Sequence, residues 1–460
     1  MRRLRQLAER TPAGRERYVD LLRALAITMV VLGHWAVTVI GHDRAGHPTG
    51  HSALGDLPWA WPLTWVAQVM PVFFLVGGYA NAASLTTRRH RGGNATGWLI
   101  DRSARLVRPT TALLVVLAVG AAVASLRGAN PVEVRTVVWF ATIPLWFLVA
   151  YLIVVPLTPP MYALHRRFGL AVPVVLVGLV ALGDLGRLLG PAGLATGNYL
   201  FGWLAVHQLG FAWYDARSPD NPRRRRLPLS RRAGATLLAV GLAALVLLTV
   251  VGPYPVVLLN VPGERLDNAA PPSLALLAAA TAQLGLILLL RGPAGRWLRR
   301  RGPWQAVIAV NTVVLTVFLW HLTAAVLLVG LLDALGVLPT PRVGSAAWWA
   351  WRIPWLLALA VILAALVAIF GPIEARSRRS APPADARRGP ESARGSPGWS
   401  RVRTALAVAG YTGIVAGLLL NSLTRKAAPE PLGLPAPALV AYLAGAGALR
   451  LLRSGWGSQG

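Results

Sequence analysis

Arg23 and His34 are the two residues that an apolar helix has least reason to carry. They lie within the run Arg17-Tyr-Val-Asp-Leu-Leu-Arg-Ala-Leu-Ala-Ile-Thr-Met-Val-Val-Leu-Gly-His34. Eleven positions apart, they fall about 20° from a common azimuth and about 16 Å apart along a helix axis. A polar group left in hydrocarbon costs several kcal/mol, so both are expected to face a bundle interior, on one wall of a shared cavity. A neutral imidazole of intrinsic pKa about 6.5 is suited to taking a proton from a hydroxyl. The same placement also fits a packing histidine hydrogen-bonded between helices. Arg23 has two readings as well. With Asp20 three residues earlier on its face, it is either an edge arginine in a local ion pair or a cation that serves a ligand.

Arg102, Arg105 and Arg108 are spaced by three and form one helical ridge leading into Pro109. Beside Arg23, such a ridge would make a pocket suited to phosphates through bidentate guanidinium contacts. A basic loop at the inner membrane face would place the same residues there. The Gly77-Gly78 pair, ahead of Asn81, permits either close helix packing or local unwinding. Asn198 is expected at the outer edge of a short span with His207 in its middle, and Asn311 and His321 are similarly placed in a later span. No cysteine and no HxxH-type spacing accompanies these histidines, and the few carboxylates fall mostly in loops, so no metal site is expected. In the turn-rich loop 261–272, Glu264 and Asn268 suit contact with a polar acceptor, or only helix capping.

The elements that must hold these residues follow from composition. Of 460 residues, 55% are hydrophobic and 14% charged, with mean hydropathy +0.54; a soluble protein carries about 25% charged residues. The chain is therefore read as a polytopic membrane protein. The absence of cysteine excludes disulfides, thiolate metal sites and cysteine nucleophiles. The net charge of +29 comes almost entirely from arginine, Lys426 being the single lysine. It lies in short runs between apolar segments, which suits cytoplasmic loops against anionic lipid and not nucleic acid.

Spans are expected at 20–41, 62–85, 109–126, 139–158, 168–188, 198–214, 233–251, 273–290, 305–331 and 347–370, each near the ~20 residues that cross a bilayer. Two more, 404–421 and 434–452, follow a linker rich in Arg, Ser, Pro and Gly, the last of them, with its Gly and Pro, read as a span or as a re-entrant or surface segment. The first apolar run is read as a span and not a cleaved signal peptide, because so many others follow. With a cytoplasmic N-terminus, arginines concentrate in the inner loops across the first ten spans. The expected fold is thus all-α, a polytopic transmembrane helix bundle of about ten core spans plus two appended. Its parts are a bundle at 1–371, a basic cytoplasmic linker at 372–402 and a helix pair at 403–460.

Taken in order, several of these motifs resemble those of the acyltransferase-3 family of integral-membrane acyltransferases, in its actinobacterial-type subgroup. They are Arg23-x10-His34, Phe73-Phe74-Leu-Val-Gly-Gly, Arg102-x-x-Arg105 before Pro109, Pro144-Leu-Trp-Phe-Leu148 and Leu319-Trp-His321. The segments at 77–81, 198–208, 261–264 and 271–272 also match that subgroup, and the likeness covers about 15–370. Many relatives have a serine where this chain has Gly77, and the C-terminal helix pair is a further departure.

The resemblance implies transfer of an acyl group, often acetyl, from cytosolic acyl-CoA to a hydroxyl of a glycan, glycolipid or small secreted product. It implies His34 as general base with Arg23 as its pair, and Arg102 and Arg105 beside the donor. His207, Asn268 and His321 match recurrent positions of the subgroup. Asn198 is grouped with them on the acceptor side. No bound cofactor is expected; acyl-CoA is a co-substrate, the lipid bilayer a partner, and the bacterial plasma membrane the location. Oligomeric state is open. A transporter or flippase for a polar or lipid-linked substrate is the competing class, although it does not require the Arg23/His34 register.

Overall fold

The computed structural model describes residues 15–42, 46, 48–218, 221–264, 266–379 and 397–454. Its helices are α1 (Arg17–Val37), α2 (Met70–His90), α3 (Ala95–Leu126), α4 (Pro131–Thr142), α5 (Leu145–Phe168), α6 (Ala171–Leu189) and α7 (Asn198–Asp215). They continue with α8 (Arg231–Val246), α9 (Leu274–Trp297), α10 (Arg301–Thr312), α11 (Val314–Ala334), α12 (Ala346–Arg379), α13 (Pro397–Leu423) and α14 (Ala436–Arg453). After α1 a short hairpin, β1 (Thr38–His42) and β2 (Pro48–Ser52), pairs antiparallel with Val39 opposite His51.

Among the described residues, ten helices are long and apolar enough to cross a membrane. The chain is an all-α, multi-pass membrane protein, as its composition predicts. Several of the expected spans differ in detail. Segments 198–214 and 434–452 are helical, as α7 and α14, yet neither is among those ten. The 139–158 segment straddles the junction of α4 and α5, so the spanning helix runs from Leu145 to Phe168. The 305–331 segment is interrupted at Val313, whose φ of −123° and ψ of 16° leave the helical region. A carboxylate accounts for this break. Glu374 of α12 accepts the backbone N–H of Thr316 at 2.8 Å and of Leu315 at 3.3 Å, and the Thr316 hydroxyl at 2.9 Å. An anion on the first N–H groups of α11 gives that helix its own start.

The chain forms two compact units. The first comprises the described residues of Met1–Ser84 with Leu157–Thr312 and Pro339–Pro354; the second comprises Leu85–Pro156, Val313–Leu338 and the described residues of Trp355–Gly460.

In the first unit, α1 is tied to α9 and α10. Tyr18 donates its hydroxyl to Ile287 O at 2.9 Å, Arg17 donates to Leu298 O at 2.9 Å, and the Arg17 guanidinium lies 5.0 Å from the Trp304 ring centroid. Helices α2 and α7 cross with backbones touching. A Cβ on Gly78 would strike His207 O, and one on Gly210 would strike Leu75 O and lie 2.6 Å from Tyr79 N. This approach brings Phe74 and Trp203 into a stack with centroids 4.5 Å apart. Gly210→Val forces two backbones apart and is expected to cost about 1–3 kcal/mol, as overpacking does. A fall in the unfolding midpoint of the purified protein would show it; an unchanged midpoint would mean that the crossing yields freely.

In the second unit, α13 and α14 pack on one another and against α3, α4 and α5. Tyr442 of α14 donates to Val107 O at 3.0 Å, and its hydroxyl lies 3.1 Å from that of Thr111. Tyr411 of α13 donates to Leu152 O at 2.6 Å. The helix pair read as appended is built into this unit. The boundary read at 371/372 falls inside α12, which continues to Arg379, and the rest of that linker up to 396 lies outside the described residues.

Candidate functional site

Helix α1 has three faces. Leu25, Met29 and Leu32 are 55%, 39% and 45% exposed, forming a continuous outer stripe with Ala36. Val19, Leu22, Ala26, Ile27, Val31 and Trp35 are buried. Flanked on both sides by these buried residues runs a half-buried stripe of Arg23, Val30, His34 and Val37. At 100° per residue, its members lie within about 40° of Arg23, whereas the outer stripe lies roughly 180–240° away. The two polar residues therefore share the face opposite the exposed apolar one, where their eleven-residue spacing puts them.

At the first end of that stripe, Asp20 is buried and holds two cations. It accepts Arg15 Nε at 2.6 Å and Arg23 Nη1 at 3.3 Å, and its backbone carbonyl accepts Asn311 Nδ2 at 2.9 Å. Asp20 thus engages both guanidiniums, with the Arg23 side chain 30% exposed. At the other end, the His34 carbonyl accepts both the N–H of Thr38 and its hydroxyl, the latter at 2.6 Å. Those bonds close the last turn of α1 through the backbone.

The remaining candidates of the first unit fall into separate networks. His207 Nε2 lies 3.1 Å from Asn81 Nδ2, which also reaches Thr158 Oγ1 at 3.4 Å. Asn198 donates to Val180 O at 3.2 Å and to Asp184 Oδ1 at 3.1 Å. The same Asp184 accepts the Tyr254 hydroxyl at 2.9 Å and Leu274 N at 2.8 Å, fastening α6, α7 and the start of α9 together. Burial, with the Asp184 carboxylate beside it, raises the pKa of the Tyr254 hydroxyl above its ordinary value, so it serves as a permanent donor. Asn268 donates to Pro255 O at 2.8 Å and Val257 O at 2.9 Å and accepts from the Ser273 hydroxyl at 2.7 Å, which ties the 254–273 loop to the N-cap of α9.

In the second unit, α3 carries the arginine ridge on its first turns and continues through Pro109 as a single helix of 32 residues. Arg102 donates to the Tyr151 hydroxyl at 2.9 Å, Arg105 is exposed, and Arg108 stands near Arg450 and Arg453 of α14. Tyr151 stacks on Phe147 with centroids 6.1 Å apart; Phe147 meets Phe318 edge-on at 5.5 Å. Phe318 adjoins His321, whose Nδ1 lies 2.6 Å from the Phe318 carbonyl. Arg102 and His321, far apart in the chain, thus sit at the two ends of one aromatic chain.

Sequence reasoning passes over a further buried cluster. His165 lies 3.5 Å from the Asp215 carboxylate, which accepts the Tyr162 hydroxyl at 2.9 Å. Its only signal is an acid and an imidazole at the ends of apolar runs. Tyr151 and Asp184 escape notice for the same reason, since each acts through a partner distant in the chain. Among the described residues, no three of His, Asp and Glu stand grouped as a metal site requires.

Fold and site together define a multi-pass helical membrane protein with a basic residue and an imidazole aligned along its first spanning helix. Residues 16–372 match the family model described as an acyltransferase domain, that of the acyltransferase-3 family. The chain belongs to this family and is a membrane acyltransferase. Neither the curated proteins nor the solved structures gave a match.

Proposed function

We propose that the protein moves an acyl group from acyl-CoA, acetyl-CoA in the first instance, to a hydroxyl of a carbohydrate, glycolipid or small secreted acceptor. The observation that carries this reading is the α1 stripe, where Arg23 and His34 share a half-buried face opposite the exposed one. His34 takes the proton of the acceptor hydroxyl, and the oxygen attacks the thioester carbonyl. The tetrahedral intermediate collapses with cleavage of the C–S bond. The CoA thiolate leaves and receives the proton from the imidazolium. Direct transfer suits a chain with no cysteine to form an acyl-enzyme.

Arg102 and Arg105 supply the cationic contacts for the donor phosphates, with Tyr151 holding the Arg102 fork, and Arg23 is the partner of His34 on α1. Asn198, His207, Asn268 and His321 serve the acceptor side indirectly, by fixing the helices and the loop that bear on it. In this reading the protein resides in the bacterial plasma membrane with its N-terminus in the cytoplasm, where acyl-CoA is made, and it holds no resident cofactor.

The test is thiol release from acetyl-CoA by the reconstituted protein, with and without a hydroxyl-bearing acceptor, alongside mass detection of the product. Acceptor-dependent release with one acetyl added per CoA freed is expected. Arg102→Lys replaces a planar fork by a point charge, and should raise KM for acetyl-CoA about tenfold with a smaller change in kcat. Movement of the acceptor across the membrane without thiol release would overturn the enzyme reading in favour of a transporter.

A further inference from the structure

A cleft of about 640 Å³ opens in the first unit where α9 ends and α8 begins. Its charged lining is Arg231, Arg291, Arg296 and Arg299 against one carboxylate, Glu16. Glu16 meets Arg291 Nη2 at 3.3 Å, leaving the group net positive by three. The Nε of Arg291 is buried without a hydrogen-bond partner. The floor is open because Gly295 has nothing within 4 Å of where a side chain would start, and Gly292 has only the Arg296 guanidinium, at 3.8 Å. Pro293 lines the same floor and contributes no N–H.

Two simpler causes bear on this basicity. Cations near a helix C-terminus complement its dipole, which accounts for Arg296 in the last turn of α9. Basic residues also gather in inner loops of membrane proteins. Neither cause by itself places four guanidiniums around one cleft, Arg291 half-buried and Arg231, Arg296 and Arg299 exposed at its mouth. The arrangement fits a polyanion with several oxygens, and phosphate is the anion that guanidinium forks match in geometry.

The cleft also has an apolar exit. Leu286, Leu290, Pro293 and Trp297 lie on one side of α9 at helical spacing, and Leu286, Leu290 and Trp297 are 39–49% exposed. Pro293 belongs to both the stripe and the cleft. A ligand with a phosphate head and a hydrocarbon body would satisfy both surfaces at once. We propose that this cleft binds the phosphate of an anionic membrane lipid, with the acyl chains laid along the exposed stripe of α9. It stands apart from the transfer chemistry and does not rest on it.

The experiment uses the full chain in phosphatidylcholine nanodiscs doped with phosphatidylglycerol, with retained phosphatidylglycerol counted by native mass spectrometry. Arg231→Gln with Arg299→Gln is expected to reduce retention about tenfold, the effect of losing two partly exposed charge-assisted contacts. Glu16→Gln, which removes the competing internal anion, is expected to raise it. Arg166→Gln with Arg167→Gln removes the same charge from exposed positions elsewhere in the unit and should leave retention unchanged. Equal losses in the two double variants, or no loss in the first, would overturn the site. A parallel titration with 3′,5′-ADP separates the two phosphate sources. Binding that depends on Arg231 and Arg299, with no dependent lipid retention, would overturn the lipid assignment in favour of a soluble nucleotide.

Discussion

Replacing His34 with glutamine is expected to slow acyl transfer by about 10²–10⁴-fold, the usual contribution of a positioned general base. Glutamine nearly keeps the volume and the hydrogen-bonding reach of the imidazole but cannot take up a proton near neutral pH. The change is local. Thr38 bonds to the His34 carbonyl, so the last turn of α1 keeps its closure in the variant. The loss should therefore fall on kcat, with KM for acetyl-CoA and the unfolding midpoint close to wild type. Steady-state thiol release at saturating acceptor measures it. A variant that turns over within about twofold of wild type would remove His34 from the chemistry and leave α1 as a packing element only.

Arg135→Met is expected to give the largest loss of stability, about 3–5 kcal/mol, as breaking a buried charged network does. Arg135 of α4 is 0% exposed. Its Nη1 donates to Asn421 Oδ1 at 2.8 Å and Gly433 O at 3.0 Å; its Nη2 donates to Asn421 O at 2.9 Å and Thr424 O at 3.0 Å. Its Nε reaches Arg425 O at 3.4 Å. All five N–H directions of one guanidinium are in use, and most of the acceptors are carbonyls at or just beyond the end of α13, where a helix has no internal donors left for them.

Burial lowers the pKa of this guanidinium from its ordinary value, and the Glu430 carboxylate offsets part of the shift. The charge is retained because it also complements the negative end of the α13 dipole. Methionine preserves much of the volume but strands the carbonyls, and Arg135→Lys should rescue little, having a single point of attachment. A lowered unfolding midpoint together with new protease cleavage in the 424–435 connection is the expected result. A midpoint within about 2 °C of wild type would show that the helix pair is held by packing alone.

The local geometry of each helix is legible in the amino-acid sequence. Apolar runs of about 20 residues become spans because no other single-segment structure satisfies the backbone in lipid. Helical periodicity then fixes azimuth. Arg23 and His34 lie on one stripe of α1, and Arg102, Arg105 and Arg108 follow one ridge of α3, for reasons contained within a few turns of chain. The close approach allowed by Gly78 is visible in the same way, although its partner Gly210 is not. The breaks at Ile143 and Val313 carry local signals that the apolar runs mask, since Pro144 follows the first and Asn311-Thr312 precede the second.

The partners that set the Val313 break and fill the polar sites come from far along the chain. Glu374 caps α11 from 58 residues away, Asn81 meets His207 across 126, and Arg135 holds Asn421 across 286. A single buried donor can be satisfied by any acceptor that folding brings within about 3 Å, so its residue type does not say which one. Which segments are helical, and which way their polar side chains turn, is settled within a few turns of chain. Which of those side chains meet is settled only by the packed helices, because hydrogen-bond pairing depends on distances in space that helical periodicity does not encode.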